Sequence, residues 1–217
     1  MRQLALIVEG QSEEVFANGL LLPAAAAHGF HLTVSIVKTS HAGGRVHKGG
    51  GNWSKYETQI RNFLKARNFH RVGLLMDFYG YPDNAPGVHQ TDGSSLFRRD
   101  ACLRLMNDAF HGSAQFMPHL MLHEFETLVL AALGAGAGRS HLEAGSIAEL
   151  AEVVHQAGGA ENVNDGPATS PSKRIMALEH EYMKTVTGNA ILDEAGLPAL
   201  LERCPDFAAW WEAFTAP

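Results

Sequence analysis

Short apolar runs alternate with stretches of helical periodicity over the first 133 residues. Residues 4–8 form a continuous apolar run closed by Glu9-Gly10, the mark of a strand buried on both faces and followed by a tight turn. Ser12 is placed to cap a helix with Glu13 and Glu14 in its first turn and Val15, Phe16, Leu20 and Leu22 on its apolar side; Pro23 predicts its end. Residues 32–37 alternate apolar and polar and predict a second strand. Tyr56, Ile60, Phe63 and Leu64 share one side of a helix over 53–68. Residues 72–76 predict a third strand ending at Asp77, Ser94 or Ser95 caps a helix through Phe110, and residues 115–122 predict a fourth strand that Pro118 confines to an edge or a bulge. A helix over 125–133 follows. This alternation predicts an α/β fold, a mostly parallel sheet flanked by helices.

Past Gly134–Gly138 the pattern becomes helical, with helices expected over 146–157, 171–183, 197–203 and 205–214. The chain therefore divides into an α/β domain, 1–133, and a helical C-terminal extension, 134–217, packed on it. Two stretches resist packing: the glycine-rich HAGGRVHKGGGN at 41–52 and the Pro/Gly-containing loop after Asp77.

Composition narrows the function classes. With 46 % hydrophobic and 18 % charged residues the chain is globular rather than disordered. A net charge of -6 argues against a basic nucleic-acid coat. Cys102 and Cys204 form no CxxC pair, so neither a disulfide framework nor a zinc motif is expected. The apolar run that stops at Glu9 is too short for a signal sequence or a membrane span, which makes the cytoplasm the expected location.

In open α/β sheets ligands collect beyond the carboxyl ends of the strands. Glu9 and Asp77 hold such positions after the first and third strands. If those strands are parallel neighbours, two carboxylates meet, repel, and need a cation or a shared proton; Mg2+ or Mn2+ suits oxygen ligands of this kind. The alternative leaves Asp77 capping a loop and Glu9 capping the first helix. Glu13, four residues after Glu9, adds a ligand from the first helical turn or faces solvent. In His123-Glu124-Phe125-Glu126 both acids reach one place if the segment is extended and diverge if it is helical; no second histidine completes HExxH.

Cations are unevenly spread. Eight basic residues lie between Lys38 and Arg71 against the single acid Glu57. Arg45, Lys48, His41 and His47 ride on the glycine-rich loop, where cations and backbone N–H groups together suit a phosphate backbone; the loop lacks the Walker A pattern, so nucleotide hydrolysis is not expected. Ser170-Pro-Ser-Lys-Arg174 opens a helix with Lys173 and Arg174 beside free N–H groups, an unfavourable arrangement that a bound anion would relieve.

The segments LALIVEGQSEEVF, LLMDFYGYP, FMPHLMLHEFETLVL, GGAENVNDGPATSPSKRI and GLPALLERCPDFAAWWEAF resemble, in order, the blocks of the bacterial DUF4276 family over nearly the whole chain. That resemblance implies a Toprim-like fold, related to those of topoisomerases, primases and the overcoming-lysogenization-defect nucleases. It implies Mg2+ or Mn2+ held by Glu9, by Glu13 as the second acid of an EGxxE, and by Asp77 as the first aspartate of a DxD. The second aspartate is replaced here by Tyr79, leaving Glu124, Glu126 or Asp83 to fill the gap. It further implies phosphodiester hydrolysis on DNA or RNA, with Lys48, Lys173 or Arg174 offsetting developing negative charge, and an ATPase partner in a phage-defence or mobile-element setting. A non-catalytic module that binds metal or nucleic acid, or docks on an ATPase, is the second reading; a structural subunit is the third.

Overall fold

A computed structural model describes residues 1–37, 52–163, 166 and 169–217. Its frame is a four-stranded, wholly parallel sheet of order β2-β1-β3-β4, built from β1 (Arg2–Val8), β2 (Phe30–Ile36), β3 (Phe69–Asp77) and β4 (Phe116–Met121). The expected parallel α/β sheet is therefore present. Its two central strands, β1 and β3, are the uninterrupted apolar runs, and both are buried on two faces. Pro118 sits on the edge strand β4, where a missing N–H costs no ladder bond.

Strand alternation splits the interior into two cores. Leu4, Leu6, Val8 and Leu75 face one side; Ala5, Ile7, Val72, Leu74 and Met76 face the other. On the second side lie α3 (Trp53–Lys65) and α4 (Ser95–Ala109). On the first lie α1 (Gln11–Phe16), α2 (Leu22–Ala27), α5 (Glu126–Gly134), α6 (Ala144–Gln156), α7 (Pro171–Leu178), α8 (Asn189–Arg203) and α9 (Pro205–Phe214). Phe207 and Trp210 of α9 pack on His119 and Phe214 stacks on Trp210, so the last helix shares a core with the first strand. Gly73 makes this possible: a Cβ there would stand 3.0 Å from both Leu6 and the Phe214 ring.

Several boundaries differ from expectation. The first helix does not stop at Pro23. A π-helical turn, Ala17–Leu21, widens the coil ahead of it, and Pro23 then sits in the first turn of α2, where its lost N–H is harmless. Ser12 is not the N-cap; Gly10 holds that position, and the Ser12 hydroxyl pairs with Thr185 Oγ1 at 3.2 Å instead. Ser94 does cap α4, accepting from the Phe97 N–H at 3.2 Å. The helix expected over 171–183 ends at Leu178, and a second π-helical turn, Lys184–Gly188, leads into α8, whose first half shows no apolar pattern strong enough to announce it. Within α8, Gly196 takes φ 74° and breaks the coil ahead of Pro198.

Candidate functional site

After β1 the chain moves outward to β2, and β3 then returns to the opposite flank of β1. The connections diverge at the β1–β3 junction, which opens the crevice where α/β sheets take ligands. Glu9 and Asp77 end these two strands, and the Asp77 backbone N–H donates to Glu9 Oε2 at 3.4 Å. The two acids are neighbours at one rim of the sheet.

Two more carboxylates join them. Glu13 comes from the first turn of α1 and is buried rather than solvated. Its carboxylate folds back over Gly10, where a Cβ would meet Glu13 Oε2 at 2.9 Å. Gly10 itself is plain extended backbone, φ -140°, so the glycine serves close approach rather than an unusual turn. Glu126 opens α5 and is 1 % exposed. The HEFE segment resolves into a bend followed by a helix start: Glu124 precedes α5 and Glu126 is its first residue.

Glu124 has a different employment. Its Oε2 accepts the Ser172 N–H at 2.9 Å, at the start of α7. The anion expected at that helix N-terminus is therefore supplied from within the chain. Lys173 is exposed on α7, and the Arg174 Nε donates to Thr169 O at 2.7 Å, towards its own loop. Asp83 is exposed in the loop after β3. Arg45 and Lys48, with the rest of the glycine-rich loop, lie outside the described residues.

The cation that stands among the acids is one the sequence did not signal. Lys184, at the first position of the π-helical turn, places its ammonium 2.8 Å from Glu126 Oε1. Its turn is tied to α1 by the Ser12–Thr185 hydroxyl pair and by Asn189 Nδ2, which donates to Ser12 O and Thr185 O. Tyr182 lies beside it, its hydroxyl buried without a partner and pressed against Gly188, where a Cβ would come within 2.6 Å. From the other face of the sheet Tyr56 of α3 reaches the same neighbourhood. Burial, then the charges of Glu9, Glu13 and Asp77, keep its phenol protonated.

The electrostatics follow from crowding. Burial and then Glu13 push the Glu9 pKa up to about 7. Asp77 is raised well above its ordinary value, by burial first and then by Glu13, Glu9 and Glu126. Glu13 and Glu126 are raised chiefly by burial, with Lys184 opposing in both. Burial alone would lower the Lys184 pKa, but Glu126, then Glu124 and Asp77, raise it. Among the described residues one ammonium thus faces four acids, an imbalance that shared protons or a divalent cation would relieve. Among the described residues no three Asp, Glu, His or Cys side chains stand in ligating geometry as they are. The donor set nevertheless suits a hard cation. It consists of oxygens only, and Asp77 Oδ1 and Glu126 Oε2 are buried with no hydrogen-bond partner among the described residues.

No described helix is long and apolar enough to cross a membrane. In fold the chain is similar to the C-terminal region of the Burkholderia pseudomallei OLD protein, with a TM-score of 0.46, 16 % identity and 98 % of each chain covered. The chain matches none of the curated proteins with which it was compared. The model of DUF4276, a domain of unknown function, matches residues 8–215, and the chain belongs to that family.

Proposed function

We propose that this protein is a metal-dependent nuclease that hydrolyses phosphodiester bonds at the β1–β3 crevice, in the cytoplasm and beside an ATPase partner in a bacterial defence or mobile-element system. The supporting observation is the meeting of Glu9, Glu13, Asp77 and Glu126 from three separate parts of the chain, with buried carboxylate oxygens left unpartnered. Mg2+ or Mn2+ would be held by Glu9, Glu13, Asp77 and Glu126, and when bound it would supply Lewis-acid stabilisation and an activated water. Glu124, fixed on the start of α7, holds that helix against the site rather than offering both oxygens to an ion. Lys184 brings a positive charge to the crevice that can offset charge developing on a phosphate, whereas Lys173 is exposed on α7. Tyr56, kept protonated, can donate a hydrogen bond to an oxygen anion. Arg45, Lys48, Lys173 and Arg174 are proposed as contacts for the phosphate backbone of DNA or RNA.

Glu9→Gln and Asp77→Asn keep size and shape while removing charge. Each is expected to abolish Mn2+-dependent cleavage of plasmid DNA and of RNA, with an unchanged circular-dichroism spectrum. Cleavage by both variants at the parent rate would rule this site out.

Tyr79 favours a second reading. It occupies the position of the second DxD acid and offers a phenol where a carboxylate would stand. A module that binds metal and nucleic acid without turnover would show Mn2+ binding by calorimetry and no cleavage of any substrate.

A further inference from the structure

Beyond Asp77 the chain does not simply leave the sheet. Phe78 and Tyr79 are pinned by backbone N–H groups donating to Met121 O and His123 O at 2.9 Å each. The loop then turns back over α4. Gly80 takes φ 89°, the Tyr81 hydroxyl donates to Pro86 O at 2.9 Å, and Gly87 lies so close to α4 that a Cβ there would stand 2.9 Å from Cys102 Cα. Between loop and helix lies a cavity of about 450 Å³ whose walls include Phe78, Tyr79, Tyr81, Gln90, Arg98 and Cys102. Its size falls within the roughly 300–1,000 Å³ of small-ligand pockets.

Its chemistry is specific. Three aromatic rings line it, and Tyr79 is 42 % exposed, so part of its ring is open to solvent. The Arg98 guanidinium lies 5.8 Å from the centre of the Phe78 ring. One of its terminal nitrogens donates to Ser95 Oγ at 3.2 Å, while its Nε is buried with no hydrogen-bond partner among the described residues. A planar heteroaromatic group with a ring acceptor or carbonyl would suit the rings and the Arg98 guanidinium together. The pocket begins at Phe78, the residue after Asp77, on the α4 side of the sheet.

We propose that this pocket takes an unpaired nucleobase of a nucleic-acid substrate, stacked on Tyr79 and Phe78 and hydrogen-bonded by Arg98, and that the site therefore selects single-stranded or frayed strands over intact duplex. A base within a duplex is stacked on both sides and cannot enter; an unpaired one can. This rests on the nuclease reading for its substrate class and gives the Asp77-Phe78-Tyr79 sequence a purpose: a metal-ligand position has been exchanged for a stacking face.

The test is binding by the full chain in EDTA, where cleavage cannot intervene, using a 12-nucleotide strand carrying 2-aminopurine, made as DNA and as RNA, and its blunt duplex. Expected are fluorescence quenching by stacking and tighter binding of the single strand than of the duplex. Tyr79→Ala should weaken single-strand binding by roughly 5- to 150-fold, the range of one lost base–aromatic stack, and Arg98→Gln should weaken it too, both leaving duplex binding unchanged. Tyr79 is exposed enough that its truncation spares the core. Equal affinity for strand and duplex, no binding of either, or parent-like binding by both variants would overturn the proposal. Failure to cleave in Mn2+ with the single-strand preference intact would remove the nuclease reading and support this pocket. Cleavage of duplex without that preference would do the reverse.

Discussion

At the residue scale the crevice is an electrostatic conflict stored in the fold. Glu9 has its pKa pushed up to about 7 by burial and then by Glu13, whereas an unfolded glutamate titrates near 4.5. Between those values the folded chain holds the proton that the unfolded chain releases. Stability from this group is therefore full below about pH 4.5 and is lost as pH rises towards 7. Asp77, Glu13 and Glu126, also raised, act in the same direction. A cation that displaces these protons should return the lost stability only where the acids would otherwise ionise. Thermal melts should show Mn2+ raising the melting temperature clearly at pH 7.5 and little at pH 5, with the difference gone in Glu9→Gln/Asp77→Asn. Equal Mn2+ effects at both pH values would place the ion elsewhere. Glu9, Glu13, Asp77 and Glu126 were all readable as candidates, because acids after strand ends and at helix starts occupy predictable positions. Lys184 was not: a lysine in a polar π-helical turn looks like any surface lysine, and only the Ser12–Thr185–Asn189 contacts bring it to the acids.

At the element scale, strands and helices with strong period followed the sequence closely, and the irregular pieces did not. β1 and β3 were visible as apolar runs because both faces are buried. The two π-helical turns were invisible, since a wider turn changes no residue type, and the role of Glu124 as the internal anion of α7 depends on a contact 48 positions away. The edge strand β4 hides another feature. His119 is buried against Phe207 and Trp210 with its Nε2 unpartnered, and burial lowers its pKa to about 4; Asp206 opposes the shift and Arg99 adds to it. The folded chain thus keeps this ring neutral while the unfolded chain protonates it near 6.5. Stability from His119 is complete above about pH 6.5 and is lost as pH falls towards 4, by on the order of 3 kcal/mol. His119→Phe should flatten that part of the urea-denaturation profile between pH 6.5 and 4. An unchanged pH dependence would mean that the ring charges without cost.

At the scale of the whole molecule, the division at residue 134 that the sequence suggests meets a core that runs across it. Leu4, Leu6 and Val8 of β1 share one apolar cluster with Leu197, Phe207, Trp211 and Phe214. The tail is also tied by polar contacts: Arg71 of β3 donates to Phe214 O at 3.3 Å and to Ala216 O, and Asp206 of α9 pairs with the buried Arg99 of α4 while Glu161 accepts its N–H and that of Phe207. Lys184 reaches the site from the same tail, so the acidic rim and the C-terminal helices depend on one packing arrangement. Phe214 is the sharpest probe, being fully buried, stacked on Trp210 and seated over Gly73. Phe214→Ala deletes a ring from a position the sheet cannot close over and should cost about 3–5 kcal/mol. Gly73→Ala, inserting a methyl into the same contact, should cost about 1–3 kcal/mol. Neighbours that share one contact do not add, so the double variant should lose less than the sum, the cavity making room for the methyl. A chain ending at residue 133 should expose the inner face of α5 and fail to give a cooperative urea transition. A cooperative transition in that fragment, or strict additivity in the pair, would mean that the tail is a separate unit laid against the sheet rather than part of its core.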